Sequence, residues 1–146
     1  MTSDAKHYVA PNLTTIVTCM RQAITDAGLA CEEIDAINAH AASTNVGDGT
    51  EAKALLEVFG KDQQLPITAN KAQIGHTMGA SSAIELILAI EGLAHGVLLP
   101  TINYDPDSKL PPLNLVTSQA IALQHQHVLT NSFGFGGCNV CLVVGN

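Results

Sequence analysis

The run Gly79-Ala80-Ser81-Ser82-Ala83-Ile84-Glu85-Leu86-Ile87-Leu88-Ala89-Ile90-Glu91-Gly92-Leu93 decides how this chain must fold. Only Glu85 and Glu91 interrupt its apolar residues with charge, so the spacing predicts a helix that is apolar nearly all round. Such a helix belongs at the centre of a layered structure. Before it, Leu13, Ile16, Val17, Met20, Ile24 and Ala27 recur at helical spacing, with Gly28 in the place of a helix-ending glycine. Residues 34–39 read as a short strand. Asp48-Gly-Thr-Glu51 then matches a capping box ahead of Leu55, Leu56 and Phe59, and Gly60 closes that helix. Residues 65–69 form a second strand. After the apolar helix, residues 97–112 are rich in Pro, Asn and Asp and read as an irregular connection, followed by strand-like runs near 120–123, 127–129 and 138–144. Alternating strands and helices, then consecutive strands, imply a layered α/β fold: a mixed sheet with helices on its faces.

The 146 residues fit one domain, taken as 1–146. With 47% apolar and only 13% charged residues, much apolar surface is expected to be buried twice, inside the domain and against a missing half or second subunit. The net charge of −7, with no run of Lys or Arg, excludes a phosphate-backbone or anionic-membrane binder, so no nucleic acid and no membrane partner is expected. No stretch is long enough to span a bilayer, and Met1-Thr-Ser-Asp-Ala-Lys6 lacks the apolar core of a signal peptide, so a cytoplasmic location is expected. Of the four cysteines, only Cys138-Asn-Val-Cys141 has suggestive spacing. It lies in a strand-like run, where residues three apart face opposite ways, so reduced structural thiols are the better reading.

Three polar clusters follow predicted strands: Asn38-Ala-His40-Ala-Ala-Ser-Thr44, Asn70-Lys71-Ala-Gln-Ile-Gly-His76 and Asn131-Ser-Phe-Gly-Phe-Gly-Gly-Cys-Asn139. Ligands of layered α/β sheets gather at the carboxyl ends of strands, so the three loops are expected to converge on one pocket. A lone His40 would read as a hydrogen-bonded core or surface histidine; two histidines and a lysine at equivalent strand ends point to chemistry. In the last cluster, glycines around Phe133 and Phe135 permit either a β-turn with core aromatics or a loop that brings backbone N–H groups against a ligand. Glu85 needs a partner in its apolar helix, either a cation or hydrogen-bond cage, or a position at a surface or interface.

These residues resemble the C-terminal half of the β-ketoacyl carrier-protein synthases, the elongating condensing enzymes of fatty-acid and polyketide synthesis with a thiolase-like fold. That family's Asn-Ala-His-Gly-Thr-Ser-Thr, followed by Gly-Asp and a Glu three further on, is similar to Asn38–Thr44, Gly47-Asp48 and Glu51. Its Lys, Gly-His and Gly-Ala resemble Lys71, Gly75-His76 and Gly79-Ala80. Its Asn-Ser-Phe-Gly-Phe-Gly-Gly-Thr-Asn resembles 131–139, and Pro100-Thr-Ile-Asn103 also matches. The resemblance implies a decarboxylative Claisen condensation, in which malonyl-carrier protein supplies a carbanion to an acyl chain held as a cysteine thioester. His40 and His76 would donate N–H bonds to the enolate oxygen, with His76 kept neutral by the following helix N-terminus. Lys71 would supply fixed positive charge, bridged to the supporting Glu51 or Asp48. Phe135, with Phe133 beside it, would gate the acyl pocket and give one oxyanion-hole N–H. Thr44 would bind the pantetheine arm, while Asn38, Glu85, Asn131 and Ser132 would hold a structural monovalent or divalent cation; no other cofactor is implied. Implied partners are the acyl carrier protein with its acyl- and malonyl-phosphopantetheine, the N-terminal half, and a second copy in a homodimer.

The nucleophilic cysteine context of the N-terminal half is missing, as is the first strand of the C-terminal half, so a truncated chain, inactive alone, is expected. Cys138 stands where the family has Thr, and Ala41-Ala42 stands where it has Gly-Thr. The lost hydroxyl at Ala42 would weaken carrier-arm binding by about 0.5–1.5 kcal/mol. Two other readings stay open: a non-catalytic, chain-length-factor-like or scaffolding subunit, and a metal-binding module using His40, His76 and cysteines, which lacks tight ligand spacing.

Overall fold

The computed structural model describes residues 1–4, 10–60, 64–106, 110–124 and 126–146. Five strands form a mixed sheet in the order β1 (Thr2–Ser3), β7 (Cys138–Gly145), β6 (His127–Gly134), β2 (Ala36–Asn38), β3 (Ile67–Thr68). The β6–β7 hairpin and the β1–β7 pair are antiparallel, whereas β2 runs parallel to both neighbours, with Ile37 opposite Leu129 and Ile67. A second, two-stranded sheet pairs β4 (Val97–Leu98) with β5 (Ile121–Ala122).

Strand periodicity sorts side chains onto two faces. Ile37, Leu129 and Cys141 turn toward α1 (Leu13–Asp26) and α2 (Gly47–Phe59), while Ala36, Val128 and Val144 turn toward Leu93 of α4 (Ser81–His95). The α1 helix forms as its pattern predicts: Asn12 Oδ1 accepts the Thr14 N–H at 3.0 Å, the stripe Ile16, Val17, Met20 and Ile24 is buried, and Gly28 takes φ 74° past its end. Burying each of Ile16 and Met20 contributes about 1.5–3 kcal/mol. All four cysteines are free; Cys19 and Cys141 are buried, and Cys138 faces away from Cys141, as alternation along β7 requires.

Three expectations are corrected. The 48–51 capping box does not form: α2 starts after Val46 without a side-chain cap, and Glu51 turns back into the interior. The third polar cluster is not a loop throughout, because Asn131–Gly134 belong to β6, each paired with a residue of β7; only Phe135–Gly137 make the turn, with Gly136 and Gly137 at φ 72° and 77°. The apolar helix is not enclosed, since α4 buries only Ser81, Glu85 and Leu93 and leaves Ile87 and Ile90 58% and 46% exposed. The five-stranded sheet and the β4–β5 pair reach it through Leu93, while α1 and α2 occupy the opposite face of the larger sheet.

Candidate active site

The parallel strands β2 and β3 end side by side, so the segments that follow them deliver His40 and Lys71 to the same edge. After β3 the chain makes one helical turn, α3 (Lys71–Ile74), and Gly75 at φ 75° redirects it to His76. The His40 and His76 rings meet edge to face with centroids 5.7 Å apart, and Phe133 of β6 lies 5.4 Å from His40. These three, with Lys71, Phe135 and Ser132, line one cavity of about 380 Å³. The expected convergence of the three clusters is therefore present in the geometry.

His40 is held through its backbone. Glu51 Oε1 accepts the His40 N–H at 2.9 Å and Oε2 accepts the Ala41 N–H at 2.8 Å, while Asn131 Nδ2 donates to Oε1 at 3.0 Å. Burial, helped by the Lys71 charge and by His76, lowers the His40 pKa from 6.5 to about 3, so the ring is neutral near pH 7. Its Nδ1 is buried without a partner, leaving Nε2 to meet a ligand. Burial pushes the Glu51 carboxyl up, against the pull of the N–H donors.

His76 is oriented by its own ring nitrogen. Nδ1 accepts the Met78 N–H at 3.3 Å and lies 3.2 Å from Ser81 Oγ, so the ring proton belongs on Nε2. Ser81, buried at the start of α4, also accepts the Thr77 N–H at 2.8 Å. Met78 pays with a left-handed φ of 54°. Ser81 was not among the residues singled out in the sequence; a small hydroxyl residue five positions after a site histidine, at a helix start, was the available signal.

Lys71 bridges neither Glu51 nor Asp48. Its buried Nζ sits 2.7 Å from both Glu85 oxygens, so the carboxylate that needed a partner in the apolar helix finds it in the site lysine. Burial raises the Glu85 pKa, opposed by Lys71. Asp48 instead accepts the Thr44 N–H at 3.0 Å, and Thr44 Oγ1 accepts the Gly47 N–H at 3.1 Å. A Cβ at position 47 would come within 2.3 Å of that oxygen, which is why glycine stands there. Phe135 is 57% exposed at the cavity mouth.

Asn38 Oδ1 and Asn131 Oδ1 are each buried and unpartnered, but they face opposite sides of the sheet, Asn38 beside Thr130 and Asn131 against Glu51 of α2, so they do not make one cation site. Glu85 does not join either, because Lys71 already engages both of its oxygens. No group of three His, Cys, Asp or Glu able to hold a metal lies among the described residues. Nor does any described helix reach the length and apolarity needed to cross a membrane.

A family model for the β-ketoacyl synthase C-terminal domain matches residues 1–105. The chain is 37% identical over 145 residues to the chloroplastic 3-oxoacyl-[acyl-carrier-protein] synthase II of Arabidopsis thaliana, covering 97% of this chain and 27% of that protein. It is 40% identical over 144 residues to 3-oxoacyl-[acyl-carrier-protein] synthase 1 of Escherichia coli (strain K12), covering 98% and 34%. Among solved structures, the ishigamide ketosynthase/chain length factor superposes with a TM-score of 0.94 at 38% identity, over 99% of this chain and 36% of that one. The chain thus has the layered, thiolase-like α/β architecture and spans about a third of the length of the curated relatives it matches.

Proposed function

This chain belongs to the β-ketoacyl synthase C-terminal domain family, and from that premise we propose that it carries the enolate-stabilising side of a condensing-enzyme site. Malonyl-carrier protein loses its carboxylate as CO2, and the electron pair of the broken bond moves into the thioester as an enolate. His40 Nε2 and His76 Nε2 donate to the enolate oxygen, and the carbanion carbon attacks an acyl thioester on a cysteine supplied by the N-terminal half of the synthase. The Phe135 N–H takes part of the charge on that second oxygen, and the expelled thiolate completes the turnover. Lys71, neutralised by Glu85, fixes the ring of charges rather than moving a proton. Thr44 lines the cavity where a pantetheine arm would pass.

One observation carries this reading: two imidazoles in edge-to-face contact, one neutral by burial and the other fixed as an Nε2–H donor by Met78, share a cavity with a buried lysine. A neutral imidazole beside an Nε2–H donor suits a developing oxyanion and not nucleophilic attack. The exposed Ile87 and Ile90 of α4 supply the apolar face on which the N-terminal half would pack.

Malonyl-carrier-protein decarboxylation and condensation should be assayed with this chain alone and with an N-terminal half added. The complete pair should condense, whereas condensation by the chain alone would sink the split-site reading. In the pair, His40→Ala or His76→Ala should each slow decarboxylation about 10²–10³-fold. The similarity to a ketosynthase/chain length factor structure favours one second reading, a non-catalytic partner subunit. It predicts no change in decarboxylation for either variant.

A further inference from the structure

A second cavity, of about 600 Å³, lies on the other side of the segment that follows His40. The two cavities share one wall, formed by Ala42, Thr44, Lys71 and His76. Of these, only Ala42 contributes nothing beyond a methyl group, and it sits between Ala41 and Ser43, whose φ values of 32° and 60° hold the segment in a tight bend. Beyond that wall the larger cavity runs to Leu55 and Ile67, each 1% exposed, and to the half-buried Leu110, Leu113 and Leu115. It is therefore a chamber with an apolar end that opens beside His76.

Its charges restrict what it can take. Among the described residues of its lining, Asp48, Glu51 and Asp105 contribute three carboxyl groups, and Lys71 is bound through Nζ by both oxygens of Glu85. Burial raises both Asp48 and Glu51, the mark of a wall poorly served by water. The end formed by Leu55, Ile67, Leu113 and Leu115 suits an uncharged apolar chain. The volume lies within the range of pockets that enclose a small organic ligand, about 300–1,000 Å³.

We propose that this chamber binds the uncharged alkyl group of a thioester ligand, entering past Ala42, as an alkyl substituent on the carbon that becomes the enolate. The assignment of the substituent rests on the condensing-enzyme reading; the assignment of the chamber to an alkyl group rests on the cavity alone. Ala42 lines the same cavity as His40 and His76, where the enolate oxygen would sit. At Ala42 the shared wall is only a methyl group deep, and a branched side chain there would thicken it.

The test is calorimetry and ¹³C-methyl NMR on this chain with three probes: the non-hydrolysable amide analogue of malonyl-pantetheine, its 2-butylmalonyl counterpart, and hexanamide. The butyl compound should bind at least tenfold more tightly than the malonyl parent and shift the Leu113 and Leu115 methyl signals. Ala42→Val should remove the tenfold preference of the butyl compound over its malonyl parent. Leu113→Gln, at the far wall, should remove it too, which guards against a local collapse at position 42. Equal affinity for the two malonyl compounds, or tighter binding without leucine shifts, would overturn the alkyl chamber. Leucine shifts with hexanamide but no binding of either malonyl compound would overturn the substituent assignment and the condensing-enzyme reading, while the chamber stands.

Discussion

Glu51 on α2 and Glu85 on α4 are 4% and 0% exposed, and each serves one half of the site by a different route. Glu51 spreads its charge over three N–H donors, from His40, Ala41 and Asn131. Glu85 places both oxygens on a single ammonium. The difference teaches what each half tolerates. A carboxylate held by neutral donors leaves no opposite charge behind when it is altered, whereas half of an ion pair leaves a buried charge with no partner.

The largest expected effect follows from that contrast. Glu85→Ala strands the Lys71 ammonium in a site 5% exposed and should cost about 3–5 kcal/mol, read from the urea-unfolding midpoint. Glu51→Gln keeps one acceptor oxygen and similar shape and should cost about 1–3 kcal/mol. The paired change Lys71→Met with Glu85→Leu should recover most of the first loss, because an apolar pair carries no desolvation cost. A larger penalty at Glu51 than at Glu85 would break the comparison.

Acidity separates the halves next. His40 falls from 6.5 in the unfolded chain to about 3 in the folded one, chiefly through burial. Between those values the unfolded state binds the extra proton, so this contribution to stability is lost as pH falls from 6.5 toward 3. Glu51 and Glu85 act with the opposite sign. Their folded pKa values are raised above the ordinary 4.5, so their contribution is present below pH 4.5 and is lost as pH rises through the raised values. The two slopes overlap, and a difference measurement isolates the first. The stability of the native chain minus that of His40→Gln should fall by about 2–4 kcal/mol between pH 6.5 and pH 3, after allowing for the ring's partial exposure. Equal slopes in the two proteins would remove His40 from the account.

What the sequence announced, and what it hid, divides along the same line between local and distant partners. The α1 helix was legible because the apolar stripe and Gly28 act within a few residues of one another. The convergence of His40, Lys71 and His76 was legible because each cluster follows a strand. By contrast, Asp48-Gly-Thr-Glu51 looked like a local cap, yet Glu51 finds its donors 10 and 11 residues earlier and on Asn131, 80 residues later. Asn131–Gly134 looked like a loop because the residues are polar and glycine-rich, but β7 pairs every one of them and makes them strand. Lys71 had several acidic residues in reach along the chain, and only the placement of α4 against the sheet selects Glu85. Likewise, the apolar helix announced its need for cover, and among the described residues nothing covers Ile87 and Ile90.

The smallest effect bears on why the Glu51 half needs its clamp. Ala41 donates to Glu51 at 2.8 Å while holding φ at 32°, in a region that costs a residue with a Cβ about 1–2 kcal/mol. Glycine, which the resembling family carries at this position, would relieve that strain but lose about 0.5–1 kcal/mol through greater freedom in the unfolded chain. Ala41→Gly should therefore raise stability by about 0.5–1 kcal/mol. Ala42 is not among the residues at positive φ, so Ala42→Gly has no strain to relieve and should lower stability by about the same amount. Opposite signs at adjacent positions, measured as unfolding midpoints, are the signature of a strained residue held by a buried carboxylate. Two shifts of the same sign would mean that Glu51 fixes the His40 segment without working against its backbone.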